Sequence, residues 1–178
     1  THPERAAFIM AGTGETVTYG QLEARSNQGA HLFRSLGLKP GDVIAIFLDN
    51  HPRYFEIAWA AQRCGLYYTC ISSKLTAGEV EYIVGDCGAQ VLVTSTTVGP
   101  VALELPGVLP ASVKLYMVGD AVAPFADFEA ARAAFPTTPV ADQTAGSDML
   151  YSSGTTGRPK GIKPALTGLP IDEPNVLA

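Results

Sequence analysis

Val43-Ile44-Ala45-Ile46-Phe47-Leu48 is apolar at every position. A strand with one face in water alternates apolar and polar residues. An unbroken run of this length therefore predicts a central strand covered on both faces by helices. The flanking sequence supplies those helices. Upstream, Thr18-Tyr19-Gly20-Gln21 is a capping box, in which the Thr18 hydroxyl and the Gln21 amide satisfy orphan backbone donors at a helix start. Leu22, Ala30, Phe33 and Leu36 then recur at helical spacing, Gly37 supplies a left-handed C-terminal cap, and Pro40-Gly41 turns the chain into the strand. Further upstream, Phe8 to Ala11 and Glu15 to Thr18 flank Gly12-Thr13-Gly14, which predicts a hairpin with a positive φ in its turn. A dinucleotide-binding glycine fingerprint fails there, because Val17 stands where the third glycine belongs.

Downstream the alternation repeats. Pro52 marks a helix start, Phe55 to Arg63 carries apolar residues at helical spacing, and Gly65 ends that helix before a strand from Tyr67 to Ile71. A second capping box, Thr76-Ala77-Gly78-Glu79, opens a helix that stops near Cys87-Gly88 and feeds a strand from Gln90 to Thr94. Val113 to Val118 and Asp148 to Ser152 read as further strands, with a helix from about Asp127 to Phe135 between them. The fold class expected is α/β: a mostly parallel sheet with helices on both faces and right-handed crossovers. Beyond Lys163 the residues Pro164, Gly168, Pro170 and Pro174 interrupt a segment with neither period, which reads as loop. The division expected is an N-terminal α/β subdomain over 1–163 and an irregular Pro/Gly-rich segment over 164–178.

Composition narrows the function classes. The net charge is −5 and no Lys/Arg run occurs, which excludes an electrostatic nucleic-acid footprint. No apolar stretch approaches the roughly 20 residues that span a bilayer. Cys64, Cys70 and Cys87 form no C-x-x-C pair, so reduced cysteines in a cytoplasmic α/β core are expected rather than metal ligands or disulfides. With 178 residues, 47% hydrophobic but only 16% charged, the chain predicts one domain, or one compact part of a longer protein whose remainder covers some of this surface.

The segment richest in chemistry is Tyr151-Ser152-Ser153-Gly154-Thr155-Thr156-Gly157-Arg158-Pro159-Lys160-Gly161, placed directly after the last predicted strand. Glycines leave backbone N–H groups open, four hydroxyls can donate to phosphate oxygens, and Lys160 is a compact positive charge. Arg158 adds a second charge or points to solvent. Ligands of parallel sheets gather beyond the carboxyl ends of the strands, which fits this placement. A Walker A loop is excluded, because Pro159 stands where its second glycine belongs. The competing reading is an ordinary polar turn, built from the same Ser, Thr and Gly.

The run from Tyr151 to Ile162 closely resembles the signature of the adenylate-forming superfamily, which includes acyl-CoA synthetases, peptide-synthetase adenylation domains and luciferases. Thr18-Tyr19-Gly20-Gln21-Leu22, Leu38-Lys39-Pro40-Gly41-Asp42-Val43 and the helix ending at Gly65 stand in the family's order, extending the resemblance from about Thr16 to Ile162. Thr155-Thr156 with Arg158-Pro159-Lys160 looks more like the acyl-CoA ligases than the peptide-synthetase domains.

The resemblance implies ATP-dependent activation of a carboxylic acid, fatty or otherwise apolar. The carboxylate attacks the α-phosphate, pyrophosphate leaves, and coenzyme A takes the acyl group, with Mg²⁺ bridging phosphate oxygens. It implies that Ser152, Ser153, Gly154, Thr155, Thr156, Gly157, Arg158 and Lys160 bind ATP phosphates through a mobile loop over 152–161. No catalytic residue and no metal ligand is assigned. The family's adenine pocket, acidic Mg²⁺ ligand, most of the acyl pocket and catalytic lysine lie further on, so this chain is expected to be an inactive N-terminal portion of a cytoplasmic ligase, or of one peripheral at membranes. A noncatalytic phosphate- or nucleotide-binding α/β module and a peptide-synthetase adenylation domain are the alternatives. Among other residues, His51 is expected at a helix start rather than as a base. Asp49-Asn50-His51 is placed for a substrate contact, and Trp59, Tyr67 and Tyr68 are expected to pack.

Overall fold

The structure, a computed structural model, describes residues 2–152 and 158–173. A hairpin opens the chain, with β1 (Ala6–Ile9) antiparallel to β2 (Thr16–Thr18) and Gly14 at φ +72° in the turn. Helix α1 (Tyr19–Ser35) starts at the expected capping box: Thr18 Oγ1 accepts the Gln21 N–H, and Gln21 Oε1 accepts the Thr18 N–H. The alternation then runs β3 (Val43–Phe47), α2 (Tyr54–Arg63), β4 (Tyr67–Ile71), α3 (Ala77–Cys87), β5 (Ala89–Ser95), α4 (Val101–Val108) and β6 (Lys114–Val118). It continues through β7 (Ala126–Asp127), α5 (Phe128–Ala133) and β8 (Ser147–Asp148) to a hairpin of β9 (Leu150–Ser152) and β10 (Lys160–Ile162).

Six strands form one sheet in the order β7-β6-β5-β3-β4-β8. Every neighbouring pair is parallel. As its composition requires, β3 is central and buried at all positions. Its side chains divide between two cores. Ile44 and Ile46, with Leu48 just past the strand, join Phe33, Ile57 and Phe128 under α1, α2 and α5. Val43, Ala45 and Phe47 join Val80, Val84 and Leu105 under α3 and α4. Each fully buried side chain of this size contributes about 1.5–3 kcal/mol, so the two faces together set the position of the sheet.

Four features depart from the sequence reading. Helix α2 begins at Tyr54 rather than at Pro52, with Arg53 at its N-cap and no side-chain cap. Helix α4 was unforeseen, because it contains Pro106, which lacks an N–H for the preceding turn. Buried Ala102 and Leu105 hold it down nonetheless. The strand expected from Asp148 to Ser152 divides at buried Met149. Before it, β8 extends the parallel sheet beside β4, and after it β9 turns away to pair antiparallel with β10. Finally, Lys160-Gly161-Ile162, read as part of the loop, is strand. Beyond Ile162 the described residues contain no further helix or strand, yet Pro164 O accepts the Tyr67 hydroxyl and Leu169 O accepts the Ala145 N–H.

Charged residues far apart in sequence meet in the helical layer. Glu56 on α2, its side chain wholly buried, lies 3.0 Å from Arg25 and 2.9 Å from each of Arg53 and Arg132. Arg53 also pairs with Glu15 of the first hairpin and lies 3.7 Å from Glu129. This cluster ties the hairpin, α1, α2 and α5 together at one point. Cys64, Cys70 and Cys87 are all free thiols, and burial pushes the Cys64 thiol up to about 12.

Candidate functional site

Position rather than burial distinguishes the segment around the predicted loop. Gly146 brings the chain against the end of α2: a Cβ there would lie 2.2 Å from Leu66 O, and the Gly146 N–H donates to Gln62 O at 2.7 Å. From that contact Ser147 and Met149 donate to Leu66 O and Tyr68 O, so the chain reaches the hairpin already in register with β4. In the hairpin, Ser152 pairs with Lys160, Gly161 with Tyr151 and Ile162 with Leu150. Both Ser152 and Lys160 are exposed and face each other across the neck of the connecting loop. Ser153, Gly154, Thr155, Thr156 and Gly157 lie outside the described residues, as does the expected mobility of that loop.

Gly161 has a packing reason rather than an open N–H alone. A Cβ there would lie 2.6 Å from Met149 Cε and 2.9 Å from the Tyr151 ring, so a larger residue would have to displace the Met149 methyl and the ring that crosses β10. The half-buried Tyr151 hydroxyl donates to Asp86 Oδ2 on α3, and burial together with that bond raises its pKa well above the usual phenol range. On the other strand, the Tyr82 hydroxyl donates to Pro159 O at 3.1 Å, and the Arg158 guanidinium carbon lies 5.0 Å from the Tyr82 ring centroid. A groove of about 510 Å³, lined by Thr76, Glu79, Tyr82, Arg158 and Pro159, runs beside the hairpin. Tyr82 and Asp86 were not identified from sequence. Their one signal is the i, i+4 spacing that puts both on one face of α3.

The other carboxyl-edge candidates are engaged locally. Because β3 lies between β4 and β5, the crevice beyond β3 and β5 is the topological switch point where such sheets commonly take ligands. Here Asp49 Oδ1 accepts the Thr97 hydroxyl at 2.7 Å, and Ser95 Oγ lies 2.8 Å from the same hydroxyl. His51 Nδ1 accepts the Arg53 N–H at 3.1 Å, the helix-start role expected of it. Burial and the Arg53 charge lower its pKa, favouring the neutral ring that this bond needs. Trp59 packs edge-on against Phe55 rather than against Tyr67 or Tyr68. Lys163 lies with its Nζ 4.5 Å from the Tyr67 ring centroid.

The family model of AMP-binding enzymes matches residues 1–163. The chain belongs to the AMP-binding enzyme family. It is 34% identical over 170 residues to long-chain fatty acid transport protein 1 of Bos taurus, a match covering 89% of this chain and 26% of that protein. It is 30% identical over 165 residues to a long-chain-fatty-acid–CoA ligase of Mycobacterium tuberculosis, covering 90% of this chain and 32% of that ligase. Among solved structures, the inhibitor-bound N-terminal domain of FACL13 from Mycobacterium tuberculosis superposes with a TM-score of 0.73 at 26% identity, covering 90% of this chain and 40% of that one. This member of the AMP-binding enzyme family thus spans about a third or less of the length of these two relatives.

Proposed function

We propose that this chain is the phosphate-binding portion of an acyl-CoA synthetase, an ATP-dependent acid–thiol ligase that activates a fatty or other apolar carboxylic acid. In that reaction a carboxylate oxygen attacks the α-phosphate, pyrophosphate departs, and the acyl group passes from the acyl-adenylate to coenzyme A. The observation that carries the reading is the β9–β10 register, which sets Ser152 opposite Lys160 at the neck of a Ser/Thr/Gly run. Hydroxyls of Ser152, Ser153, Thr155 and Thr156, amides of Gly154 and Gly157, and the Lys160 ammonium are the donors proposed for the β- and γ-phosphates. Donors fixed in place stabilise charge growing on the departing pyrophosphate without reorganising. Two relatives named for long-chain fatty acids, one a transport protein and one a CoA ligase, support the apolar acid.

Among the described residues no cluster of three His, Cys, Asp or Glu side chains is arranged to hold a metal ion, so no step is assigned to Mg²⁺. No helix among them is long and apolar enough to cross a membrane. The ligase is proposed to act in the cytoplasm or peripherally at a membrane.

ATP–pyrophosphate exchange tests the reading. Lys160→Ala in the intact ligase should lower the exchange rate about a hundredfold, the loss of one charge-assisted phosphate contact worth roughly 2–4 kcal/mol. The 178-residue chain alone should give no exchange. Exchange by the isolated chain, or an unchanged rate for Lys160→Ala, would place the chemistry elsewhere.

A further inference from the structure

Helix α3 grips both strands at the neck of the loop. Tyr82 and Asp86 sit one turn apart, Asp86 accepts the Tyr151 hydroxyl immediately before Ser152, and Tyr82 donates to Pro159 O immediately before Lys160. Each of the two facing donors is thus preceded by a residue tied to the same helix. Helix α3 is itself set firmly. Its capping box closes its start, with Thr76 Oγ1 accepting the Glu79 N–H and the Glu79 carboxylate accepting from Thr76, and Val80, Ile83 and Val84 bury its inner face. The absent Cβ of Gly161 lets the Tyr151 ring lie across β10, so the Asp86 bond restrains both strands. Arg158 has its guanidinium on the Tyr82 ring, the geometry of a cation–π contact.

We infer that Tyr82 and Asp86 are positioning residues for the neck of the hairpin, setting the spacing of Ser152 and Lys160, and that Arg158 anchors that neck to Tyr82 rather than binding phosphate. The inference rests on the ligase reading above. The two positive charges of the signature then act in different directions, Lys160 toward the nucleotide and Arg158 toward the scaffold.

Two measurements test it. In the intact ligase, Asp86→Ala and Tyr82→Leu should each lower kcat for pyrophosphate exchange about tenfold, the scale on which a misplaced contact acts, while KM for the acid stays unchanged. Asp86→Asn keeps an acceptor for Tyr151 and should restore most of the rate. Arg158→Ala combined with Tyr82→Leu should be no worse than Tyr82→Leu alone. Multiplied losses in the double variant would show that Arg158 meets phosphate independently, and would overturn its assignment as an anchor. The second measurement uses the 178-residue chain and needs no activity. Hydrogen exchange of amides in β9 and β10 should accelerate in Asp86→Ala while amides of β3 and β5 keep their protection. Unchanged exchange in the hairpin would overturn the clamp. A wild-type ligase with no pyrophosphate exchange would instead sink the ligase reading, leaving the clamp to be judged by hydrogen exchange.

Discussion

Strand β3 and the β9–β10 hairpin are both short stretches of strand, yet they are stabilised in opposite ways. All five residues of β3 are buried between two helical layers. In the hairpin, Leu150 and Ile162 are paired with each other and remain 54% and 60% exposed. The first is held by apolar area, which a single sequence displays openly. The second is held by a few directed contacts from α3 and by its link through β8 and Met149 to β4. A site residue in the hairpin is therefore placed by partners that its own sequence neighbourhood does not contain.

The sharpest way to break that contrast is to empty the sheet. Phe47→Ala should cost about 4 kcal/mol, because Phe47 is fully buried and the surrounding layers cannot collapse onto the cavity. Urea unfolding measures it, and a cost below about 1 kcal/mol would mean that the two-sided core is loose. Next, Glu56→Gln should cost about 3 kcal/mol in the same assay, since it leaves Arg25, Arg53 and Arg132 around a neutral side chain.

The capping boxes give smaller effects. Thr18→Ala should destabilise by about 1 kcal/mol at any pH near neutral, because its partner Gln21 does not titrate. At α3 the partner is Glu79, whose carboxyl is held below its usual value by the Thr76 bonds. That contribution is present above the ordinary carboxylate range and is lost as the pH falls through the lowered value. Acid should therefore loosen the first turn of α3 before that of α1, read by amide exchange against pH. The smallest effect belongs to the hairpin surface. Leu150→Ser should change stability by less than about 0.5 kcal/mol, and a larger loss would show that this face is buried after all.

What the sequence disclosed follows the same division. Contiguous signals were legible: the β3 run, the Thr18/Gln21 and Thr76/Glu79 boxes, and the strands of the central sheet. Residues 152–160 were singled out through their likeness to a known signature, and 153–157 lie outside the described residues. The edge pieces were not legible. Helix α4 hides because Pro106 and Gly107 argue against a helix while the pocket for Leu105 comes from a different part of the chain. The chain leaves β4 at Met149 although β4 runs on to Ile71, and β10 exists only because β9 offers it an edge. The Glu56 cluster and the Tyr82 and Asp86 bonds join charges and hydroxyls from segments far apart in sequence.

The seat of Gly146 against Leu66 carries a consequence for how the molecule assembles. Strand β8 pairs with β4 only after the chain has passed through α3, β5, α4, β6, β7 and α5. Closing so long a detour costs more entropy than forming the local β3–α2–β4 unit, so this pairing belongs to the late events of folding. Residues that enter last are also the first to detach when the structure opens partially. The hairpin thus joins a sheet whose β3–α2–β4 unit is already built, and Gly146 finds its partners Gln62 and Leu66 in place when it arrives.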